Sequence, residues 1–210
     1  MLICCALTIA CTAAMVATLA MGYAKTAGVV KMVGSTAFLG IAVAAGALQS
    51  PYGWLVLAGL FFSWWGDLFL IFRNETLFLL GLIVFFLAHV CYGAAFLVHG
   101  VNGMWTALTG AALLIPLAIV LRWLNPRLGE MRIPVYAYTG VISAMVALAA
   151  GAVGAAGTLL MPVAAVTFYV SDLFVARERF VIIDHWNRFV GLPLYYTAQI
   201  LFAYSIALVP

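Results

Sequence analysis

Two aspartates stand inside apolar sequence: Asp67 in FFSWWGDLFLIFRN (61–74) and Asp172 in FYVSDLFVAR (168–177). Asp67 lies six residues before Arg73, and Asp172 five before Arg177. An ionised carboxylate in hydrocarbon costs several kcal/mol or more, so it persists only when paired, hydrated or neutralised. Both stretches share the pattern (G/S)-D-L-F, and 172 − 67 = 105 is half of the 210-residue chain. Together with Lys31, His89, several tyrosines and Gln199, the pair suits acid–base chemistry, or the movement of protons or cations.

The elements that must position these residues follow from composition. The chain is 68% hydrophobic and 7% charged, with a mean hydropathy of +1.22, against roughly 25% charge in soluble domains. That defines an all-α polytopic membrane protein. Eight apolar runs approach the ~20 residues a spanning helix needs, near 2–22, 28–47, 52–72, 77–98, 103–122, 133–152, 157–176 and 189–209. The first lacks the positive n-region of a signal peptide, so it counts as a helix. Pro51, Pro134 and Pro193 fall in first turns, where a missing N–H is harmless, whereas Pro116 and Pro162 are expected inside helices. Cys4, Cys5, Cys11 and Cys91 all lie in apolar runs and read as small buried residues, with neither metal spacing nor a disulfide frame.

Charge sets the orientation. Lys25 and Lys31 bound the first loop, Arg73 the third, Arg122, Arg127 and Arg132 the fifth, and Arg177, Arg179 and Arg188 the seventh. These are all nine Lys and Arg residues, and the positive-inside rule puts the odd loops in the cytoplasm and both termini outside. The net charge of +3 therefore encodes topology, and no nucleic-acid partner is implied.

A shift of 105 also carries Ala45-Gly46-Ala47 onto Ala150-Gly151-Ala152 and Lys31 onto Tyr136. A shift of 110 carries Gly81-Leu82 onto Gly191-Leu192 and Ala88-His89 onto Ala198-Gln199. The pattern is that of one transmembrane domain, 1–210, made of two parallel four-helix repeats (about 1–102 and 103–210). Such repeats pair residues around a pseudo-two-fold axis along the membrane normal. With a rise of ~1.5 Å per residue, Asp67 lies ~9 Å inward of Arg73 and Asp172 ~8 Å inward of Arg177. A pocket in the cytoplasmic half, bounded by Lys31, Asp67, His89, Tyr136, Asp172, Tyr195 and Gln199, is the expected site.

Each of these residues also has a purely structural reading. Either aspartate can lock helices by pairing with Lys31 or a loop arginine. A lone His89 can be a hydrogen-bonded core histidine, and Tyr195 and Tyr196 can be interfacial-belt aromatics. Asp184 and His185 sit in a charged loop and read as solvated. The chain has no G-x-S-x-G, H-E-x-x-H or P-loop motif, and one histidine at membrane depth does not make a multi-histidine zinc site.

The third helix carries S-x-x-G-D-L-x-L (Ser63, Gly66, Asp67, Leu68, Leu70), and the fourth F-x-x-A-H-x-x-Y (Phe85, Ala88, His89, Tyr92). The seventh carries S-D-L (Ser171, Asp172, Leu173), and the eighth Y-x-x-A-Q (Tyr195, Ala198, Gln199). In this order the elements resemble the YhhN family of lysoplasmalogenase-like membrane proteins, over essentially the whole chain. The chain departs from that family at Lys31-Met32, where the family has Lys-Pro.

The resemblance implies hydrolysis of the vinyl ether bond of lysoplasmalogens, with a lysophospholipid substrate and the bilayer as surroundings; no cofactor or metal is expected. Protonating the vinyl β-carbon makes an oxocarbenium ion that water captures, so one neutral carboxyl and one carboxylate form the natural pair. Two carboxyls close together in low dielectric do not both ionise readily, which supplies both forms. Asp67 and Asp172 are then the catalytic candidates. The substrate-binding candidates are Lys31, Asn74, His89, Tyr136, Ser171, Tyr195 and Gln199, with Lys31 on the lipid phosphate and Trp64–Trp65 along the alkenyl chain. The protein is expected in a bacterial plasma (inner) membrane, its mouth toward the cytoplasm. The competing class is a proton-coupled carrier using the same carboxylates, which needs a polar path on both sides; the polar residues crowd one side.

Reporter fusions or cysteine-accessibility probes test this topology. Positions Val101 and Thr158 should report the outside, and Leu128 and Asp184 the cytoplasm. A cytoplasmic signal at Thr158 contradicts the eight-helix arrangement.

Overall fold

The computed structural model of the chain describes residues 1–72, 74–156 and 158–209. Arg73, from which the depth of Asp67 was reckoned, lies outside the described residues. The described chain is all-helical, with eight helices long and apolar enough to cross a membrane. These are α1 (Leu2–Ala20), α2 (Ala24–Ala44), α3 (Pro51–Leu70), α4 (Glu75–His99), α5 (Gly103–Leu124), α6 (Arg132–Gly151), α7 (Leu160–Phe180) and α8 (Leu192–Ser205), the last lying within a continuous helical span, Asn187–Leu208. A one-turn helix, Val153–Ala156, lies between α6 and α7. Pro162 is the third residue of α7 rather than an interior residue, because that helix begins at Leu160. Pro116 lies inside α5.

Helix starts are written in the sequence. The Ser50 side chain accepts from Gly53 N–H (3.1 Å) with Pro51 next to it, Asn74 accepts from Leu77 N–H (3.2 Å), and Asn102 from Trp105 N–H (3.1 Å). Each satisfies one of the orphan donors of a first turn. The eighth span opens with a π turn, Asn187–Gly191, in which Leu192 N–H bonds Asn187 O. Pro193, which has no N–H to offer, follows directly in the first turn of α8.

Six helices close a ring through their contacts: α2 packs on α3, α3 on α4, α4 on α6, α6 on α7, α7 on α8, and α8 on α2. Helices α1 and α5 lie outside it, against α2 and α8 and against α6 respectively. Their burial agrees: α1 buries only Thr8 and Met15, and α5 only Leu124. Apolar side chains on these two helices face outward, as they should where the surroundings are hydrocarbon.

Helix α3 meets α4 at very short range because it presents glycine. A Cβ at Gly59 would lie 2.4 Å from the Tyr92 ring, and one at Gly66 2.4 Å from the Phe85 ring. With little hydrophobic drive between helices in lipid, such small residues are what allow close approach. This packing seats Phe85 and Tyr92, and with them His89 between, beside Asp67. Gly66→Val should therefore lower the melting temperature of the detergent-purified protein, the overpacking costing about 1–3 kcal/mol. Gly140, with nothing within 4 Å of its would-be Cβ, should accept alanine without loss. Equal melting temperatures for Gly66→Val and the parent would refute the packing argument.

Candidate functional site

Asp67 is 1% exposed and has three polar side-chain partners. Its Oδ1 pairs with Lys31 Nζ at 3.0 Å. Its Oδ2 accepts from Ser35 Oγ and from Tyr195 OH, both at 2.6 Å. Lys31 and Ser35 are one turn apart on α2, so they present together. Tyr196 OH donates to the Lys31 carbonyl at 3.0 Å and lies 3.1 Å from Ser35 Oγ. One carboxylate thus ties α3 to α2 and α8. The charge is matched by a cation and two hydroxyl donors, which is what a buried carboxylate requires.

Asp172 is held differently. Tyr138 OH donates to its Oδ2 at 2.5 Å, and among the described residues no cation lies within 4 Å of it. Arg177, five residues on, turns instead to Asp184, with Nε donating to Oδ2 at 3.1 Å. Asp184 is therefore paired and part-buried rather than solvated, while His185 is exposed.

Both aspartates line one cavity of about 410 Å³, together with Lys31, Ser171, Tyr138 and Tyr195. Its walls are otherwise mainly apolar, including Leu70, Phe78, Leu82, Val120, Leu124 and Ile142. It reaches the helix ends that carry the basic residues, where Phe72, Phe180 and Ile183 line it. Ser171 is 1% exposed and donates to Phe168 O at 2.7 Å.

Two predicted site residues lie behind the cavity rather than in its lining. His89 and Gln199 are both fully buried. His89 Nδ1 donates to the Phe85 carbonyl at 2.6 Å; since a carbonyl only accepts, the tautomer is fixed and Nε2 is left as an acceptor. Its ring packs 4.7 Å from Phe168 and 5.2 Å from Tyr138, between centroids. Gln199 Oε1 accepts from Tyr92 OH at 2.9 Å. His89 Nε2 and Gln199 Nε2, an acceptor and a donor, are both buried without a partner among the described residues.

Two others are not at the cavity. Asn74 is exposed and spends its side chain capping α4. Tyr136 is 37% exposed and donates to Asn125 Oδ1 at 2.9 Å. The reason is helical phase: two residues turn the helix by about 200°, so Tyr138, not Tyr136, occupies the inner face. Trp64 and Trp65 do not line the cavity either. Trp64 Nε1 donates to Thr36 Oγ1 at 3.1 Å, and Trp65 is 37% exposed. Sequence reasoning missed Ser35, Tyr138 and Tyr196. The signals were present: Ser35 is Lys31 plus one turn, and Tyr138 belongs to the buried set Val135, Tyr138, Thr139 and Ile142, spaced i, i+3, i+4, i+7.

Fold and site together define an integral membrane protein, a helical bundle with two carboxyl groups around one cavity near its basic end. A profile describing the YhhN family matches residues 26–206, and the chain belongs to the YhhN family. It is 32% identical over 165 residues to a Bos taurus protein named lysoplasmalogenase TMEM86A, covering 75% of this chain and 67% of that protein. The Homo sapiens protein of the same name is 31% identical over the same length and shares. No solved structure matches the chain.

The clamp on Asp67 makes a specific stability prediction. Lys31→Met should destabilise strongly, because removing one partner of a buried pair strands the other at a cost of ~3–5 kcal/mol. Lys31→Met combined with Asp67→Asn should recover much of that loss, read as melting temperature in detergent. A double variant no more stable than the single one would mean the pair does not govern this seam.

Proposed function

We propose that the protein is a membrane-embedded hydrolase that cleaves the vinyl ether bond of lysoplasmalogen-type lysophospholipids, giving a fatty aldehyde and a glycerophospho-alcohol. The observation that carries this reading is one cavity lined by two differently held carboxyl groups, at the end of a bundle whose relatives are named lysoplasmalogenases. The apolar walls suit an alkenyl chain, and the polar end suits the bond to be broken.

The difference in partners supports a division of roles. Asp67, against Lys31 and two hydroxyls, is the ionised member. Asp172, bonded by Tyr138 alone among the described residues, is the member suited to carry a proton. The Asp172 proton adds to the vinyl β-carbon, the C=C π pair forms that C–H bond, and the adjacent carbon becomes an oxocarbenium centre. Water attacks that carbon, and Asp67 takes the proton it loses, leaving a hemiacetal. The hemiacetal breaks its C–O bond to glycerol: Asp67 gives its proton to the departing glycerol oxygen, and the hemiacetal hydroxyl gives its proton to Asp172 as the aldehyde C=O forms. One water is consumed and both carboxyls return to their starting forms. Tyr195 and Ser35 hold Asp67 in place, and Tyr138 holds Asp172.

The arrangement favours a hydrolase over a proton-coupled carrier. A carrier needs a passage to both faces, and beyond the cavity the far end is filled by Phe96 and Phe202, both 0% exposed, and closed by Tyr52 OH at 2.7 Å from Ser205 Oγ. We also read the chain as two parallel repeats, about 1–102 and 103–210, with both termini outside and the cavity mouth toward the cytoplasm of a bacterial inner membrane. Supporting the repeats, the contacts α2–α3, α3–α4 and α4–α6 are matched by α6–α7, α7–α8 and α8–α2.

Purified protein supplied with a lysoplasmalogen should release fatty aldehyde, detected by mass spectrometry. Asp67→Asn and Asp172→Asn each keep shape and remove proton transfer, so turnover should fall by at least the ~10²–10⁴-fold typical of general acid–base catalysis. Folded, inserted variants that still cleave at the parent rate would make the carboxyls structural.

A further inference from the structure

The Asp67 clamp raises a problem for the lipid phosphate. Lys31, the cation expected to bind it, is committed to Asp67 at 3.0 Å, and drawing it off would strand a buried carboxylate. The only other Lys or Arg among the described residues lining the cavity is Arg179. Resting on the lysophospholipid reading above, we propose that the cavity mouth is a headgroup subsite for a phosphate joined to a primary ammonium. Arg179 takes the phosphate, and Glu178 and Asn187 take the ammonium.

Arg179 is free to do this. Among the described residues its one ionic neighbour is Glu75, at 3.9 Å, whose side chain is 95% exposed. Such an exposed pair is worth little and yields readily to a better partner. The guanidinium lies 4.5 Å above the centroid of Phe78, itself a wall of the cavity. That contact holds the planar fork at the mouth, where its donors make no hydrogen bond among the described residues, and a fork of this shape matches phosphate oxygens two at a time.

The neighbouring acceptors complete the zwitterion. Glu178 lines the same cavity, and Asn187 Nδ2 donates to its carboxylate. That bond fixes the amide orientation and leaves Asn187 Oδ1 buried without a partner among the described residues, in a residue that also lines the cavity. A carboxylate beside an orphaned carbonyl oxygen calls for a charged donor with several N–H groups. A primary ammonium has three, whereas a trimethylammonium has none. Reach also agrees: Arg179 is seven residues beyond Asp172 on α7, ~10 Å along the axis. The vinyl β-carbon and the phosphorus are seven bonds apart, about 8 Å when extended.

The test is a binding measurement on the full chain in detergent, using uncleavable 1-O-alkyl lipids: lysophosphoethanolamine, lysophosphocholine and alkylglycerol. Arg179→Gln should weaken both phosphate lipids at least tenfold and leave alkylglycerol unchanged. Arg179→Lys should fall between. Glu178→Gln should bring the ethanolamine lipid down to the level of the choline lipid, which it should not alter. The proposal is overturned if Arg179→Gln binds the phosphate lipids as the parent does. It is equally overturned if all three probes weaken together, or if the parent holds alkylglycerol as tightly as the phosphate lipids. Turnover is scored separately: an intact headgroup pattern without aldehyde release refutes the proposed reaction and leaves the subsite standing.

Discussion

A carboxylate cannot sit in a membrane interior alone, and the structure is arranged around satisfying that demand at Asp67. Lys31 supplies the charge at 3.0 Å, and Ser35 and Tyr195 supply two donors at 2.6 Å. These partners come from α2 and α8, so the bonds are made where α8 meets α2 and the ring of six helices closes. The Tyr196 hydroxyl on the Lys31 carbonyl reinforces the same seam. An electrostatic requirement of one residue is therefore also the joint of the bundle, and it commits the Lys31 ammonium to Asp67.

The proposed chemistry rests on a difference between the surroundings of the two aspartates. In the two-repeat reading, a shift of 105 takes Lys31 to Tyr136 and Ser35 to Gly140. The second aspartate thus inherits neither cation nor hydroxyl from the equivalent helix face. It is met instead by Tyr138, on the same helix but a different position. Two carboxyl groups in related places acquire unlike surroundings, and unlike surroundings are how one fold supplies an acid and a carboxylate together.

How much of this could be read from sequence follows from what the membrane does to patterns. The eight spans were legible because length and hydropathy suffice, and the aspartates because a carboxylate in an apolar run has few innocent explanations. Helical phase was not legible in the same way. When lipid-facing and core-facing residues are both apolar, little polarity contrast marks the inner face. Tyr136 was accordingly preferred to Tyr138, though the Val135, Tyr138, Thr139, Ile142 spacing held the answer. Trp64 and Trp65 drew attention by proximity to Asp67 in sequence, yet neighbours on a helix point about 100° apart and these two miss the cavity. The Lys31–Asp67 pair was one of two readings available, and sequence alone had no means of choosing between a phosphate and a carboxylate as the lysine's partner.

The central claim is that a fixed carboxyl group delivers a proton to carbon. It is tested most directly by running turnover of a lysoplasmalogen in heavy water and, separately, in ¹⁸O-water. The account predicts an aldehyde carrying one deuterium at the carbon next to the carbonyl, in a single configuration, because Asp172 reaches one face of the double bond. It also predicts that the glycerol oxygen is retained without ¹⁸O. A racemic deuterium label, ¹⁸O in the glycerol hydroxyl, or no aldehyde at all would contradict it.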